Sequence, residues 1–339
     1  MLPKFSIIIA VRTINDYLEE NIAHLKKLSY KNFEVLIVTD DKEDYDFFGD
    51  ERFRLLVSGP KGPGEKRNVG ARNAKGQILA FLDDDAFPHR NWLTHAEEIF
   101  RNPNVFALGA PAVTPINAPF KEKMAGYVLE SYLTGASTVY RHKPGPRRFI
   151  NDYPTVNLFV RRIVFWNVGG FLTEFWPGED TKLCLDIVRL FGRKFLYDPK
   201  PVVYHHRRQL FSPFLEQISR YGRHRGQFAR IFPETSRLPS YFAPMLFTIF
   251  LLLSPVACIY FPALCPWVLG VLWLYVLLVS VEALKACLRT ISLRAFPYVW
   301  IGIFLTHLVY GINFISGLIK KPTLKLRDVD STTGSYLGG

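Results

Sequence analysis

Hydrophobic and polar positions alternate over the first 205 residues in the manner of strands followed by helices. Four short apolar runs predict buried strands: Phe5–Val11, Glu34–Thr39, Phe53–Val57 and Ile78–Leu82. Between them, Asp16–Leu28 has apolar residues at helical spacing with Asp16 as its cap, and Gly64–Lys75 predicts a helix that Gly76 ends. Strands that alternate with helices predict an α/β domain, with a mostly parallel sheet covered by helices on both faces.

Beyond this region the chain has two long stretches without charge. Residues 241–281 contain no Asp, Glu, Lys or Arg, whereas a single membrane-spanning helix needs only about 20 apolar residues. Pro262 and Pro266 lie mid-stretch, so we predict a transmembrane hairpin of Tyr241–Phe261 and Ala263–Val281. A buried helix pair in a soluble core is the alternative, but such helices seldom run so long without a charge.

The second uncharged stretch, Ala295–Ile319, leaves two interpretations open. It is long enough to cross a bilayer, but four cations follow it: Lys320, Lys321, Lys325 and Arg327. A full crossing would place these cations outside, against the positive-inside tendency. A helix that lies in the interface or re-enters would keep them inside. The prediction is therefore a third transmembrane or interfacial helix, followed by a basic, polar tail over 320–339.

Charge is concentrated beside the predicted hairpin. The 339-residue chain carries 42 Lys and Arg against 30 Asp and Glu, a net charge of +12. Residues 200–240 hold eight Lys or Arg and two Glu, so +6 lies in this one region. This predicts a basic amphipathic juxtamembrane segment at 226–240 that meets membrane lipids, at an inner or plasma membrane with the preceding domain cytoplasmic. No nucleic-acid motif accompanies the charge, which excludes a nucleic-acid partner.

The fourth strand runs directly into three carboxylates, Asp83, Asp84 and Asp85. Like charges about 4 Å apart repel by about 4 kcal/mol at an effective dielectric constant of 20, so a cation should offset them. A hard divalent ion such as Mg²⁺ or Mn²⁺ suits carboxylate oxygens. The cluster also lies where ligands bind parallel sheets, beyond the carboxyl ends of the strands. The alternative is a solvated turn that caps the next helix.

Three further segments carry candidate chemistry. The Gly/Pro-rich loop that opens Gly62–Gly76 bears Lys66 and Arg67 at a helix start, which favours an anion; an ordinary basic helix is the alternative. Glu179 and Asp180 fall in the first turn of a predicted helix, where carboxylates also serve as simple caps. His205 follows the strand-like Pro201–Val203 and could ligate a metal.

The order of these motifs resembles the family 2 glycosyltransferases, which have the GT-A fold, over about residues 4–225. Tyr30–Asp41 is similar to the family's YPNFEVIVVDDGS, and Arg67–Asp85 to its ARNxGxxxAxGxxxxFLDAD. The segment that ends Gly169-Gly170-Phe171 resembles the family's GGF. Further along, Gly178-Glu179-Asp180 resembles GED, and Asp198–His205 resembles DP…H. We therefore expect a GT-A catalytic domain over 1–225, followed by C-terminal transmembrane or interfacial helices.

The resemblance implies roles for matching positions. Asp40, with Asp41, would contact the nucleotide base, and Lys66 and Arg67 the base or diphosphate. Asp83 would face the ribose, with Asp84 beside it, and Asp83 and Asp85 would hold the divalent cation. His205 is a further metal or diphosphate contact. Asp180, with Glu179 beside it, would deprotonate the acceptor hydroxyl. Gln217, Arg220 and Tyr221 resemble the QxxRW element of membrane-bound polysaccharide synthases, whose Arg would hold the departing diphosphate.

The implied function is metal-dependent, inverting transfer of a sugar from a nucleotide-diphosphate sugar to a hydroxyl of a lipid-linked or polysaccharide acceptor. Transfer to a polyprenyl phosphate, or processive polysaccharide synthesis, stays open. A nucleotidyltransferase on a related fold would usually carry a Gly-rich basic loop after the first strand, and Ala10–Asn15 has none. A membrane-anchored, nucleotide-sugar-binding scaffold is the non-enzymatic alternative; the acidic set speaks against it. Four scattered cysteines exclude a disulfide framework and fit a reducing compartment.

Overall fold

The computed structural model describes residues 4–47, 49–172, 177–192 and 195–320. The predicted tail, apart from Lys320, lies outside the described residues. The chain forms two compact units. Within the described ranges, the first unit comprises residues 4–113 and 143–205, and the second comprises 114–142 and 206–320.

The first unit is built on an eight-stranded sheet in the order β3-β2-β1-β4-β9-β6-β10-β8. Its strands are β1 Phe5–Ala10, β2 Phe33–Thr39, β3 Phe53–Val57, β4 Ile78–Leu82, β6 Ala107–Gly109, β8 Arg148–Phe149, β9 Asn157–Arg161 and β10 Phe195–Tyr197. The strands β1 to β4 pair in parallel, and β9 pairs antiparallel with both β4 and β6. The predicted mostly parallel α/β sheet is therefore confirmed, and its four predicted strands match β1 to β4 closely.

A second sheet of three short strands has the order β5-β11-β7. These are β5 Ala86–Pro88, β7 Ala112–Val113 and β11 Val203–His205. The antiparallel register of β5 and β11 sets His205 opposite Ala86. As a result, the histidine comes beside the acidic turn that precedes β5, although more than a hundred residues separate them in sequence.

Helices of the first unit pack on the main sheet. They are α1 Asp16–Lys26, α2 Pro63–Asn73, α3 Trp92–Phe100, α6 Arg162–Asn167 and α7 Glu179–Phe191. The cap of α1 differs from expectation: Asn15, not Asp16, accepts a hydrogen bond from the Leu18 amide at 3.0 Å. Asn15 has the extended backbone that capping requires, while Asp16 is already helical. Gly76 approaches the backbone of Ser6 so closely that a Cβ would lie 2.6 Å from its nitrogen, which explains why glycine follows α2.

The second unit is helical. It contains α4 Phe120–Glu130, α5 Tyr132–Gly135, a 3₁₀ turn at Ala136–Arg141, α8 Ser212–Ile231, α9 Pro233–Ser236, α10 Pro239–Tyr260, a 3₁₀ turn at Pro262–Leu264, α11 Cys265–Thr290 and α12 Ala295–Ile319. The predicted helices at 241–281 and 295–319 are present. Among the residues that the structure describes, three segments are long and apolar enough to cross a membrane: Pro239–Tyr260, Pro262–Thr290 and Ala295–Ile319. The chain is therefore suited to association with a membrane.

Candidate active site

The acidic turn after β4, Asp83 to Asp85, has three carboxylates, and each contacts a different partner. Asp83 accepts a hydrogen bond from Arg67 Nη2 at 2.8 Å, and Asp84 accepts one from Asn15 Nδ2 at 2.9 Å. Asp85 Oδ1 lies 3.2 Å from His205 Nε2. Each partner comes from a separate element, so the three carboxylates of the turn are held by three different contacts.

Arg67, on α2, joins the acidic turn to the start of α7. Its second terminal nitrogen, Nη1, donates to Glu179 Oε1 at 2.8 Å, so one guanidinium bridges Asp83 and Glu179. Desolvation lowers the pKa of the buried Arg67, but the neighbouring carboxylates of Asp83, Glu179 and Asp180 more than reverse this, and the pKa is raised overall. The guanidinium is therefore a fixed positive charge at the centre of the site.

The two carboxylates at the start of α7 have different surroundings. Glu179 is 4% exposed, pairs with Arg67 and accepts the Gly178 amide at 3.1 Å. Burial raises the pKa of Glu179, and the pairing with Arg67 offsets part of that rise. Asp180 is only half-buried, and its Oδ1 accepts the Thr181 amide at 2.7 Å. Of the two, Asp180 is the carboxylate that a substrate can reach.

Asp85 and His205 are suited to share a cation. Two ligands at right angles, each about 2.1 Å from an octahedral Mg²⁺, would be about 3 Å apart. The observed separation of 3.2 Å between Asp85 Oδ1 and His205 Nε2 is close to that value. Across the described ranges, no group of three or more His, Cys, Asp or Glu side chains is arranged to hold a metal. A cation here would therefore take its remaining ligands from water or from the phosphates of a bound substrate.

Lys66 contacts the residues that follow β1 and β2 at their carboxyl ends. Its side chain is 3% exposed; its Nζ donates to the Val11 carbonyl at 2.5 Å and forms an ion pair with Asp40. Asp41, one residue further, is exposed. The structure thus brings Asp40 and Lys66 together at the expected edge of the sheet. Their contact with a nucleotide stays a prediction.

Burial also affects the middle carboxylate of the turn. Desolvation raises the pKa of Asp84, the charge of Asp85 adds to the rise, and the hydrogen bond from Asn15 opposes it. The same Asn15 side chain caps α1 through its other atom, so one residue fixes both the helix start and the acidic turn.

Sequence reasoning missed three asparagines that hold the site. Asn15 is the first, and Asn21, which is fully buried on α1, donates to the Asp83 carbonyl at 3.2 Å. The Asn68 side chain makes two hydrogen bonds with the Phe171 backbone: it donates to the carbonyl and accepts from the amide, both at 2.9 Å. Gly170 next to it has φ +73°, and a Cβ there would lie 2.7 Å from Asn68 Oδ1. The glycine before Phe171 was the visible signal for this close approach.

Three predicted residues belong to the second unit. Gln217, Arg220 and Tyr221 lie on α8, where Gln217 donates to Tyr221 Oη at 3.1 Å and Arg220 pairs with Glu216. Their predicted contact with the diphosphate stays a prediction.

Comparison with known proteins addresses the identity of this site. The profile of the family described as "Glycosyl transferase family 2" matches residues 6–167, a range that contains the acidic turn and Arg67. Residues 6–167 therefore resemble glycosyl transferase family 2, and the curated relatives support the same family. A pre-mycofactocin glycosyltransferase of Mycobacterium tuberculosis is 28% identical over 211 residues, 60% of this chain and 44% of that relative. The chain thus spans less than half of that relative's length.

Two further proteins are similar to this chain. A glucosyl-dolichyl phosphate glucuronosyltransferase of Haloferax volcanii is 24% identical over 219 residues, 60% of this chain and 69% of the relative. The solved mannosyltransferase PcManGT from Pyrobaculum calidifontis, in complex with GDP-Man and Mn²⁺, superposes with a TM-score of 0.55 and 18% identity. That match covers 94% of this chain and 88% of the other, and it confirms the GT-A fold.

Proposed function

We propose that this protein transfers a sugar from a nucleotide-diphosphate sugar to a hydroxyl of a lipid-linked saccharide, with inversion and with a divalent cation. The observation that carries the proposal is the bridge from Asp83 through Arg67 to Glu179. It joins the acidic turn, which is suited to bind a nucleotide-sugar donor, to the start of α7, where Asp180 lies. The donor and the general base would thus meet at one site.

The donor side would use the carboxyl ends of the strands. Asp40, Asp41 and Lys66 suit contacts with the nucleoside, and Asp83 suits contacts with a ribose. Asp85 and His205 would hold the cation, with water and the diphosphate as its other ligands, and the Mg²⁺ or Mn²⁺ would neutralise charge that develops on the diphosphate. The related fold solved with GDP-Man and Mn²⁺ supports this choice of donor class and cation.

The acceptor side would use Asp180. A hydroxyl is a weak nucleophile, and a positioned base typically accelerates such a reaction by about 10²–10⁴-fold. Asp180 is accessible, whereas Glu179 is buried against Arg67. We therefore assign the base to Asp180 and a positioning role to Glu179. A phosphate acceptor would need no base, so this carboxylate favours a hydroxyl.

The membrane helices support an acceptor that resides in a bilayer. Three segments have the length and composition of spans, and one relative is named for glucosyl-dolichyl phosphate. A catalytic domain tethered to the same membrane meets such an acceptor at a high effective concentration.

The decisive experiment offers a panel of nucleotide sugars and membrane lipid extracts to the purified full chain. Release of nucleoside diphosphate together with a glycosylated lipid is expected. Release of pyrophosphate would instead indicate a nucleotidyltransferase, and binding of donor without turnover would indicate a scaffold. Asp180→Asn should lower kcat by about 10²-fold or more while donor affinity is kept.

Matched variants separate the assigned roles. Asp16→Asn also changes a first-turn helix carboxylate, but an exposed one on α1, and should behave as wild type. Asp85→Asn and His205→Gln should each weaken Mn²⁺ binding in the presence of nucleoside diphosphate, measured by electron paramagnetic resonance. Wild-type turnover in Asp180→Asn would contradict the base assignment, and unchanged Mn²⁺ affinity would contradict the cation site.

A further inference from the structure

Helix α12 has the length of a membrane span, but both of its ends contact the same end of the α10–α11 hairpin. The short turn at Pro262–Leu264 joins those two helices, and Phe247 of α10 stacks on Tyr275 of α11 with ring centroids 4.2 Å apart. The start of α10 and the end of α11 are both remote from this turn; we call the end that they form the hairpin base. We propose that α12 does not cross the bilayer and instead lies in the membrane interface at the hairpin base. This inference goes beyond the proposed function and does not depend on it.

The two ends of α12 give the first argument. Near its start, Ala295 and Val299 share a buried cluster with Ala283 and Ala286, which lie in the last turns of α11. Near its end, the Phe314 ring packs edge-on against Phe242, three residues after α10 begins, with ring centroids 4.9 Å apart. A 25-residue helix is about 37 Å long, so a spanning α12 that started at the base would end near the far turn.

The middle of α12 gives a second argument. A Cβ on Gly302 would lie 2.8 Å from Val128 Cγ2 of α4, and His307 Nε2 lies 2.8 Å from the Leu133 carbonyl of α5. Helix α4 carries four charged residues, which are Lys121, Glu122, Lys123 and Glu130. The centre of a spanning helix would hold this charged helix inside the hydrocarbon, where ionised side chains are rare and unfavourable. At the interface the same contacts are compatible with water and headgroups.

Helix α8 gives a third argument because it runs beside α12 with backbones in contact. A Cβ on Gly222 would lie 2.6 Å from the Tyr310 carbonyl, and one on Gly226 would lie 2.2 Å from the Phe314 carbonyl. Further along, Arg230 donates to the Leu318 carbonyl at 2.9 Å. Because the two backbones are in contact, α8 would enter the bilayer together with α12 if α12 crossed it. It would also carry in the Arg side chains of α8, at positions 220, 223, 225 and 230.

The outer half of the hairpin shows the opposite character. Its large apolar side chains are exposed, with Ile259 and Tyr260 at 75%, Trp267 at 77% and Trp273 at 72%. In the most apolar 18-residue stretch of each helix, 11% of the stretch is buried in α10 and 6% in the segment that contains α11. The corresponding share for α12 is 39%. The hairpin is thus the element whose surface is suited to lipid, whereas much of α12 is covered by protein. Lys320, which directly follows α12, then stays on the side of the hairpin base, as the positive-inside tendency favours.

Cysteine accessibility in sealed vesicles tests the proposal on the full chain. With the four native cysteines replaced by serine, single cysteines are placed at the exposed positions Gln209, Ala263 and Lys320. A membrane-impermeant maleimide is applied to right-side-out and inverted vesicles. Lys320→Cys and Gln209→Cys should be labelled in the same vesicle orientation. For each variant, labelling in that orientation should be at least tenfold greater than in the other. Ala263→Cys, in the hairpin turn, should react in the opposite orientation.

A reporter fusion covers the case in which the cysteine-free chain fails to fold. Green fluorescent protein is joined after residue 339 of the unaltered chain, and alkaline phosphatase is joined there in a parallel fusion. With the hairpin base on the cytoplasmic side, as the positive-inside tendency predicts, fluorescence with no phosphatase activity is expected. Reaction of Lys320→Cys together with Ala263→Cys, or a phosphatase-active, non-fluorescent fusion, would overturn the proposal and make α12 a span.

Discussion

Replacing Arg67 with methionine tests the bridge at the centre of the site. The side chain of Arg67 is 7% exposed and that of Glu179 is 5%, so the variant leaves Glu179 buried without its cation. Removal of one member of a buried ion pair typically costs about 3–5 kcal/mol. The Asp83 side chain is 28% exposed, so water compensates much of the lost ion pair between Asp83 and Arg67. We therefore expect Arg67→Met to lower the free energy of unfolding by about 3 kcal/mol, near the lower end of this range.

Thermal unfolding of the detergent-solubilised full chain measures this loss. At about 2–4 °C per kcal/mol for a unit of this size, the Tm of Arg67→Met should fall by roughly 6–12 °C. Turnover should fall as well, since Asp83 and α7 lose their common partner. Arg101→Met, which removes a surface arginine whose partner Glu97 lies four residues earlier on α3, should change stability by less than about 1 kcal/mol.

The pH dependence and a double variant identify the cause. Burial raises the native pKa of Glu179 above its unfolded value, and loss of Arg67 raises it further. A raised carboxyl pKa gives stability that is present below the unfolded pKa and lost as the pH rises through the native pKa. The Tm deficit of Arg67→Met should therefore be smaller at pH 5 than at pH 8. Adding Glu179→Gln should restore most of the Tm but not the turnover. A pH-independent deficit, or no gain from the second change, would refute the buried-charge reasoning.

Two further variants probe other contacts. Asn15→Ala should lower stability by about 1 kcal/mol through loss of the α1 cap, whereas Asn15→Asp should keep the cap yet repel Asp84. Both variants lose the donor to Asp84, so wild-type activity in Asn15→Asp would contradict the role of this contact. Gly226→Ala should cost about 1–3 kcal/mol in thermal unfolding, because its Cβ would meet the Phe314 carbonyl at 2.2 Å. Gly270→Ala, in a helix position with nothing within 4 Å, is the matched control, and equal Tm values for the two would exclude the close-packing argument.

The sequence predicted the sheet and the acidic turn well because their signals are local. Each of β1 to β4 is a mainly apolar run, and the three aspartates directly follow one of them. The presence of Glu179 and Asp180 in the first turn of a helix was also predicted and is confirmed.

What the sequence could not predict are the pairings between distant elements. Asn15 reaches Asp84 across 69 positions and Asn68 reaches Phe171 across 103, and an asparagine carries no sign of its partner. Likewise, the β5–β11 register that brings His205 to Asp85 depends on two three-residue strands, which are too short for a periodic pattern.

The position of Arg67 between Asp83 and Glu179 has a consequence for redesign of this protein. A change in the acidic turn that alters donor choice would also move the one guanidinium on which the start of α7 depends. Under the proposed function, donor and acceptor preferences are then coupled, and altering one alone calls for compensating changes at the other end of the bridge. Asp40 is linked to the bridge less directly, through its ion pair with Lys66, the neighbour of Arg67 on α2. Under the proposed roles, nucleotide choice is therefore the part of substrate choice least tied to the bridge.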